Sequence, residues 1–449
     1  MRKSKISGKA KISPTQIIAL AFAAIILAGA CLLTLPAASR DGQSVGFLSA
    51  LFTSTSATCV TGLVLFDTGA QWSVFGQIVI ITLIEVGGLG FISAASMVVF
   101  LFRRKAGLRQ RMLMAQALSV DDMSAVVKLQ KWVICGSLSI EFVGALILML
   151  RFLPEYGLGR AAALGAFHSI SAFCNAGFDI FGTGKSLVTL NTDPVVLITL
   201  MVLIVVGGLG FFVWEEVVRL RSFKKFSVYT KLVLLTSGVL IVAGAALLLL
   251  LEWGNPATLG TMGPGQKVLN AFFQSVTLRT AGFAAVDQGS LTGASKGLSL
   301  VLMLIGGSSG STAGGAKTVT FLVLLLFVWN RARGRSEVTV FRRSIPAGKV
   351  MDAMTIVSLM TGLAMAGAVV ICATSPVSFT DALFETVSAL ATVGLTTGIT
   401  GSLSVVGKLL IIVFMYFGRV GILTLSLGFL MGDRAQERYR YAYTNLLIG

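Results

Sequence analysis

The chain has 449 residues, 55% of them apolar and only 12% charged, about half the charge of an ordinary soluble domain. Fifty glycines exclude a simple Leu-rich bundle, and eight prolines within dense apolar content exclude disorder. Apolar runs of about 20 residues recur along the whole length, so the sequence reads as an all-α polytopic membrane protein.

The balance of 36 Lys and Arg against 19 Asp and Glu, a net +17, would by itself suggest a nucleic acid partner. Its distribution argues against one. Twenty-six of the 36 basic residues gather at 2–11, 103–131, 219–231, 331–349 and 434–440, between or beside apolar spans. That is the pattern of cytoplasmic loops under the positive-inside rule. Both termini and the three long loops are therefore expected in the cytoplasm, with membrane lipid as the surrounding partner and no nucleic acid.

In chain order, residues 1–13 form a basic N-terminus. The apolar run that follows is span-length and lacks a small-x-small cleavage site, so it reads as a retained helix rather than a signal peptide. Four tandem units then follow: repeat 1 at 14–102, a loop at 103–130, repeat 2 at 131–218, a loop at 219–231, repeat 3 at 232–329, a loop at 330–349, repeat 4 at 350–430 and a tail at 431–449. Each opens with an apolar span (14–36, 131–153, 232–253, 350–374) and closes with another (73–102, 192–218, 297–329, 404–430). Between the two lies a short window, too short to cross a membrane.

The windows align without gaps: ALFTSTSATCVTGL (50–63), GAFHSISAFCNAGF (165–178), NAFFQSVTLRTAGF (270–283) and ALFETVSALATVGL (382–395). Each places a Phe (Phe52, Phe167, Phe272, Phe384) ten residues before a glycine (Gly62, Gly177, Gly282, Gly394). Each also places a polar residue (Ser54, Ser169, Gln274, Thr386) eight before it. The four glycines stand 115, 105 and 112 residues apart. Glycine-rich motifs punctuate the second spans: GGLGF at 87–91 and 207–211, GGSSG at 306–310 and FGRVG at 417–421. The reading is helix, re-entrant pore loop, helix, four times over, giving eight transmembrane helices around a pseudo-four-fold pore.

Irregular backbone at membrane depth is tolerated only inside protein or along a water-filled cavity. Four such segments converging on one axis would form rings of carbonyls able to replace a cation's hydration shell. ThrValGlyLeuThr at 392–396 looks like a softened form of the potassium-channel signature TVGYG. The candidate filter residues are Thr58, Cys59, Val60, Thr61 and Gly62 from the first window, and Cys174, Asn175, Ala176 and Gly177 from the second. The third supplies Arg279, Thr280, Ala281 and Gly282, and the fourth Ala391, Thr392, Val393 and Gly394. Potassium would be the only metal, held through backbone carbonyls.

Candidate gate residues lie in the second span of repeat 3. Gly306, Gly307, Ser308, Ser309, Gly310, Ser311, Thr312, Ala313, Gly314 and Gly315 interrupt an apolar run, and this stretch should not stay helical. Its place is expected beneath the filter, with Lys317 near it. Arg419, in an otherwise apolar span, needs an aqueous path or a partner. It is expected to face the pore as a barrier, an ion pair with Glu85 being the alternative.

His168, aligned with Thr53, Phe273 and Glu385, reads as a satisfied polar contact. Arg279 is expected to point behind the filter and pair with Asp287 or Glu385. The cysteines Cys31, Cys59, Cys135, Cys174 and Cys372 show no CxxC pairing, so zinc, dithiol or disulfide chemistry is not expected. No cluster of His, Asp and Glu is apparent, which argues against an enzyme. A sodium- or proton-coupled secondary carrier of another small substrate is the alternative. It is disfavoured because only one second span looks broken, whereas carriers break helices in matched positions.

The four repeats, the single filter glycines, the interrupted third repeat and Arg419 resemble the Trk/Ktr/HKT superfamily of potassium transporters. The short N-terminus leaves no room for the two extra helices of Trk-type subunits, so the chain looks most like a bacterial Ktr-type membrane subunit. The resemblance implies potassium uptake across the bacterial plasma membrane, a homodimer with one pore per subunit, and sodium as a coupling or activating ion. It also implies a cytosolic nucleotide-binding regulatory ring (KtrA-like). This chain has no nucleotide motif of its own, so ATP, ADP or NAD would sit on that partner, with the basic loops 103–111, 219–225 and 331–343 as its docking surface.

Overall fold

The computed structural model describes residues 14–90, 126–335 and 337–421. The basic N-terminus 1–13, the segment 91–125, the end of repeat 4 at 422–430 and the tail 431–449 lie outside the described residues. Among the described residues the fold is all-helical apart from one short hairpin, β1 (Thr339–Val340) with β2 (Arg343–Ser344).

The helices are α1 (Pro14–Thr34), α2 (Phe47–Thr58), α3 (Val74–Leu89), α4 (Val126–Phe173), α5 (Pro194–Leu209), α6 (Phe211–Leu220), α7 (Val228–Glu252), α8 (Pro264–Thr277), α9 (Gly293–Leu304), α10 (Thr318–Ala332), α11 (Ala347–Thr374), α12 (Phe379–Leu390) and α13 (Val405–Val420). Ser73, Asp193, Ser227, Thr292, Ser378 and Ser404 cap the first turns of α3, α5, α7, α9, α12 and α13 through side-chain oxygens. Each cap satisfies an orphan N–H at a helix start.

Burial runs opposite to that of a soluble protein. The long helices expose Leu20, Leu27, Phe142, Leu150, Val239, Leu250, Met351 and Val369. The short α2, in contrast, buries Thr53, Ser54, Thr55, Ser56 and Thr58, and α12 buries Glu385, Thr386 and Ser388. A polar centre inside an apolar jacket is the arrangement a bilayer demands.

Among the described residues, four helices are long and apolar enough to cross a membrane, within α1, α4, α7 and α11, and the pair α5–α6 bends by 96°. The sequence predicts an interruption in the second span of repeat 3 alone. Within the described residues every second span stops short: α3 at Gly90 (φ 84°), α5 at Gly210 (φ 95°), α9 at Ile305 and α13 at Gly421 (φ 95°). The glycine of GGLG or GRVG leaves helical space because a left-handed residue there carries no Cβ penalty. In repeat 2 the first span and the half-helix follow each other closely. Within α4 they are two helices that meet at a kink at Gly157 (φ 72°, ψ 166°), after Pro154.

Small residues bring these elements close. A Cβ on Gly144 would stand 2.6 Å from Ser169 Oγ, and one on Gly29 or Gly244 2.5 Å from Ser54 or Ser275 Oγ. These hydroxyls donate to the first helices: Ser54 to Ile26 O (2.7 Å), Ser169 to Glu141 O (2.6 Å), Ser275 to Ile241 O (2.8 Å) and Thr386 to Ala364 O (3.0 Å). Each such bond is worth about 1 kcal/mol net.

Candidate functional site

The four windows end in one backbone motif. Two residues before each glycine the chain is left-handed, at Val60 (φ 56°), Asn175 (59°), Thr280 (68°) and Thr392 (51°). The glycines follow suit, with φ of 99° at Gly62, 68° at Gly177, 79° at Gly282 and 90° at Gly394. Alternating handedness turns successive carbonyls to one side of a strand rather than to both, as a pleated strand would.

The windows meet at those glycines. A Cβ on Gly62 would lie 2.5 Å from Ala176 O and 3.3 Å from Gly394 Cα. On Gly177 it would lie 2.7 Å from Ala281 O, and on Gly282 2.8 Å from Val393 O. On Gly394 it would overlap Thr61 O. The carbonyl oxygens of Thr61, Ala176, Ala281 and Val393 thus each stand beside a glycine of a neighbouring window. The four segments close a ring with no room for a methyl group.

Hydroxyls behind the ring hold it. Ser56 Oγ accepts from Gly62 N (3.1 Å) and Ser388 Oγ from Gly394 N (3.0 Å). Ser171 Oγ donates to Phe178 O (2.8 Å) and Thr277 Oγ1 to Phe283 O (2.7 Å). A second set of buried polar side chains holds the chain that leaves the ring. His168 Nε2 accepts from Ile180 N (3.4 Å), Gln274 pairs with Gln288, and Glu385 accepts from Thr396 (2.7 Å) and Thr400 (2.5 Å). His168 is a satisfied structural contact.

The third window departs from the gapless alignment. Phe272 is 37% exposed, while Phe273 is fully buried like Phe52 and Phe384. Ser275, not Gln274, makes the bond that Ser54, Ser169 and Thr386 make, and Gln274 rather than Phe273 is the counterpart of His168. One residue fewer separates the buried Phe from the glycine: Phe273 stands nine before Gly282, where Phe52, Phe167 and Phe384 stand ten before theirs.

On the helix side of the ring runs the segment 306–315. Gly306 N donates to Ala316 O (2.8 Å). Ser308 N and Thr312 N then donate to Gly208 O (3.0 Å) and Gly207 O (3.3 Å), and Thr312 Oγ1 to Phe173 O (3.0 Å). Gly314 and Gly315 lie against Thr392 and Ala391 of the fourth window. The segment therefore crosses from under the second window to under the fourth. Lys317 Nζ donates to Ala313 O (2.7 Å).

Arg419 does not pair with Glu85. It donates to Thr312 O on the segment, and to Gly87 O and Gly88 O (2.9 Å) at the end of α3. Arg279 points behind the ring as expected, but its partners are not Asp287 or Glu385. Its Nη2 donates to Ser237 Oγ (3.1 Å) and Thr318 Oγ1 (3.3 Å).

Spatial grouping missed in the sequence joins three distant residues. The ligand atoms of Glu85, Glu141 and Cys174 all lie within 4.8 Å of one another, with Cys174 Sγ 3.5 Å from Glu85 Oε2. They come from α3, α4 and the second window, so no linear spacing could signal them.

Beyond the ring, a cavity of about 660 Å³ is lined by all four glycines and by Asp67, Asp179, Asp287 and Lys185. Three carboxylates against one ammonium favour a cation. Two other basic residues at this end are ion-paired, Arg151 with Asp193 (2.6 Å) and Lys296 with Asp381 (3.2 Å).

A family model described as TrkH, cation transport protein, matches residues 5–438. The chain belongs to that family. It is a Trk/Ktr cation transporter of the membrane, not an enzyme. The chain is 40% identical over 441 residues to the Ktr system potassium uptake protein B of Bacillus subtilis, covering 98% of each chain. To the potassium/sodium uptake protein NtpJ of Enterococcus hirae it is 38% identical over 444 residues, again covering 98% of each. Its fold matches the crystal structure of the potassium transporter TrkH from Vibrio parahaemolyticus with a TM-score of 0.74 at 19% identity, over 96% of this chain and 87% of that one. Trk/Ktr members are multi-pass membrane proteins with apolar helices, as this chain is.

Proposed function

We propose that this Trk/Ktr chain takes up potassium through the ring, passing ions between the carbonyls of the four windows. The observation that carries the reading is the convergence of Gly62, Gly177, Gly282 and Gly394, each beside a carbonyl oxygen of another window. A cation stripped of water needs such oxygens, and rings of carbonyls are how potassium pores supply them. The acidic cavity concentrates cations at one mouth. The filter comprises Thr58–Gly62, Cys174–Gly177, Arg279–Gly282 and Ala391–Gly394.

The segment 306–315 acts as the gate, with Lys317 at its end and Arg419 joining it to α3. A fixed guanidinium beside the path opposes cation passage in a low-dielectric pore. Within the described residues all four second spans leave the helix at matched positions, which removes the helix-break argument against a carrier, so the pore reading rests on the ring.

In this reading the membrane is the bacterial plasma membrane, with both termini and the basic loops on the cytoplasmic side. The subunit works as a homodimer with a cytosolic nucleotide-binding ring, and sodium couples or activates uptake. The names of the relatives support potassium and, for the Enterococcus protein, sodium.

The deciding experiment is uptake in cells lacking other potassium transporters, with potassium, rubidium and sodium compared. Selective potassium accumulation is the expected outcome. Equal sodium and potassium permeation overturns the filter, and tight ATP binding by the purified chain alone overturns the separate nucleotide-binding partner.

A further inference from the structure

Three of the four windows carry a small residue three before the glycine, namely Cys59, Cys174 and Ala391, whereas the third carries Arg279. That arginine is only 8% exposed, and no carboxylate is among its hydrogen-bond partners. Its Nε has no partner. A buried cation held only by neutral oxygens is costly, so what holds it matters.

Two hydroxyls hold it, and one of them is shared. Thr318 Oγ1 accepts from Arg279 Nη2 (3.3 Å) and donates to Gly306 O (2.8 Å), while Thr318 N donates to Gly307 O (3.0 Å). Thr318, three residues past the close of the 306–315 segment, is thus tied to the two residues that open it. Because a hydroxyl carries one proton, the relay has a direction: guanidinium to Thr318, Thr318 to the Gly306 carbonyl. Moving Gly306 removes the bond that orients the Thr318 hydroxyl and so loosens its hold on the guanidinium. Arg279 is covalently next to Thr280, which is held left-handed at φ 68° (a conformation that needs its surroundings). A small void of about 10 Å³ adjoins Arg279, Gly307 and Gly208.

We propose that Arg279, acting through Thr318, is the positioning residue that couples the 306–315 segment to the third strand of the ring, so that displacing the segment changes the cation affinity of the ring. The inference rests on the filter and gate reading above, and it adds a specific linkage between them.

The test is a mutant cycle on the potassium KM of uptake, at matched surface expression. Arg279→Gln and the isosteric Thr318→Val are each expected to shift KM by about 5–10-fold, and the double variant no further than the larger single. In a chain lacking residues 308–313 the same substitutions should shift KM by less than about twofold, because the segment whose position the relay transmits is gone. Arg279→Lys, which keeps the charge but not the fork, should recover part of the KM. A purely structural role would instead lower maximal rate and thermal stability alike in both backgrounds. Equal KM shifts with and without the segment, or a silent Thr318→Val beside an active Arg279→Gln, overturn the coupling. If Arg279→Gln does not reach the membrane, Thr318→Val in the two backgrounds decides alone. Failure of the gate itself reads differently: the deletion then leaves maximal flux at the wild-type level, whatever the KM shifts do.

Discussion

Arg419 and Thr312 are 107 residues apart in the chain, yet the guanidinium of one donates to the carbonyl of the other. The same side chain reaches Gly87 and Gly88. One residue therefore fastens the 306–315 segment of the third unit to the second helix of the first.

If this fastening is part of the barrier, Arg419→Ala and deletion of 308–313 should each raise potassium flux several-fold, since the substitution removes a fixed positive charge and the deletion an obstruction. Together they should raise it by less than the product of the single effects, as parts of one barrier do. Potassium preference over sodium should survive in all three variants. Radiotracer uptake into proteoliposomes checks this, and wild-type flux in both single variants places the barrier elsewhere.

The ring itself should be intolerant of methyl groups. Gly394→Ala would drive a Cβ into the Thr61 carbonyl, and Gly177→Ala would put one 2.6 Å from Gly282 Cα. Relief requires backbone movement costing about 1–3 kcal/mol, so potassium uptake should fall by about tenfold or more, with sodium discrimination reduced. Gly348→Ala, with nothing within 4 Å of its Cβ, is the control expected to transport normally.

In the cavity beyond the ring, burial and the nearby charge of Asp67 push the Asp179 carboxyl up to about 7. Above that pH the carboxylate is charged and attracts cations; below it the proton removes that charge. Apparent potassium affinity should therefore fall as external pH drops through about 7. Asp179→Asn should have the low-pH affinity at every pH. Uptake kinetics across that range at low ionic strength, where the field is least screened, provide the measurement, and an unchanged pH profile in the variant rules the residue out.

The slip in the third window predicts an asymmetry between neighbours. Phe273→Ala empties a fully buried site and should cost about 3–5 kcal/mol. Phe272→Ala removes a part-exposed ring and should stay within about 1 kcal/mol. Thermal unfolding in detergent separates the two, and equal losses would restore the gapless register.

Much of this architecture was legible in the linear chain. Span-length apolar runs, windows too short to cross and glycines at near-even spacing are local features, and hydrophobicity and backbone sterics act on them one segment at a time. The family resemblance rested on those features, and it holds. Three things were decided only by packing. The second helices stop at Gly90, Gly210 and Gly421 because a motif that looks like punctuation within an apolar run becomes a break only where neighbouring elements accept the freed backbone; for Gly210, Gly310 O accepts from Phe211 N. Phe272 and Phe273 are chemically identical, so only the core they meet could say which one is inside. Arg419, Arg279 and the Glu85–Glu141–Cys174 group each draw partners from segments far apart in sequence. Their electrostatics depend on which oxygens surround a buried charge, and that is set by the packing of distant helices around one axis.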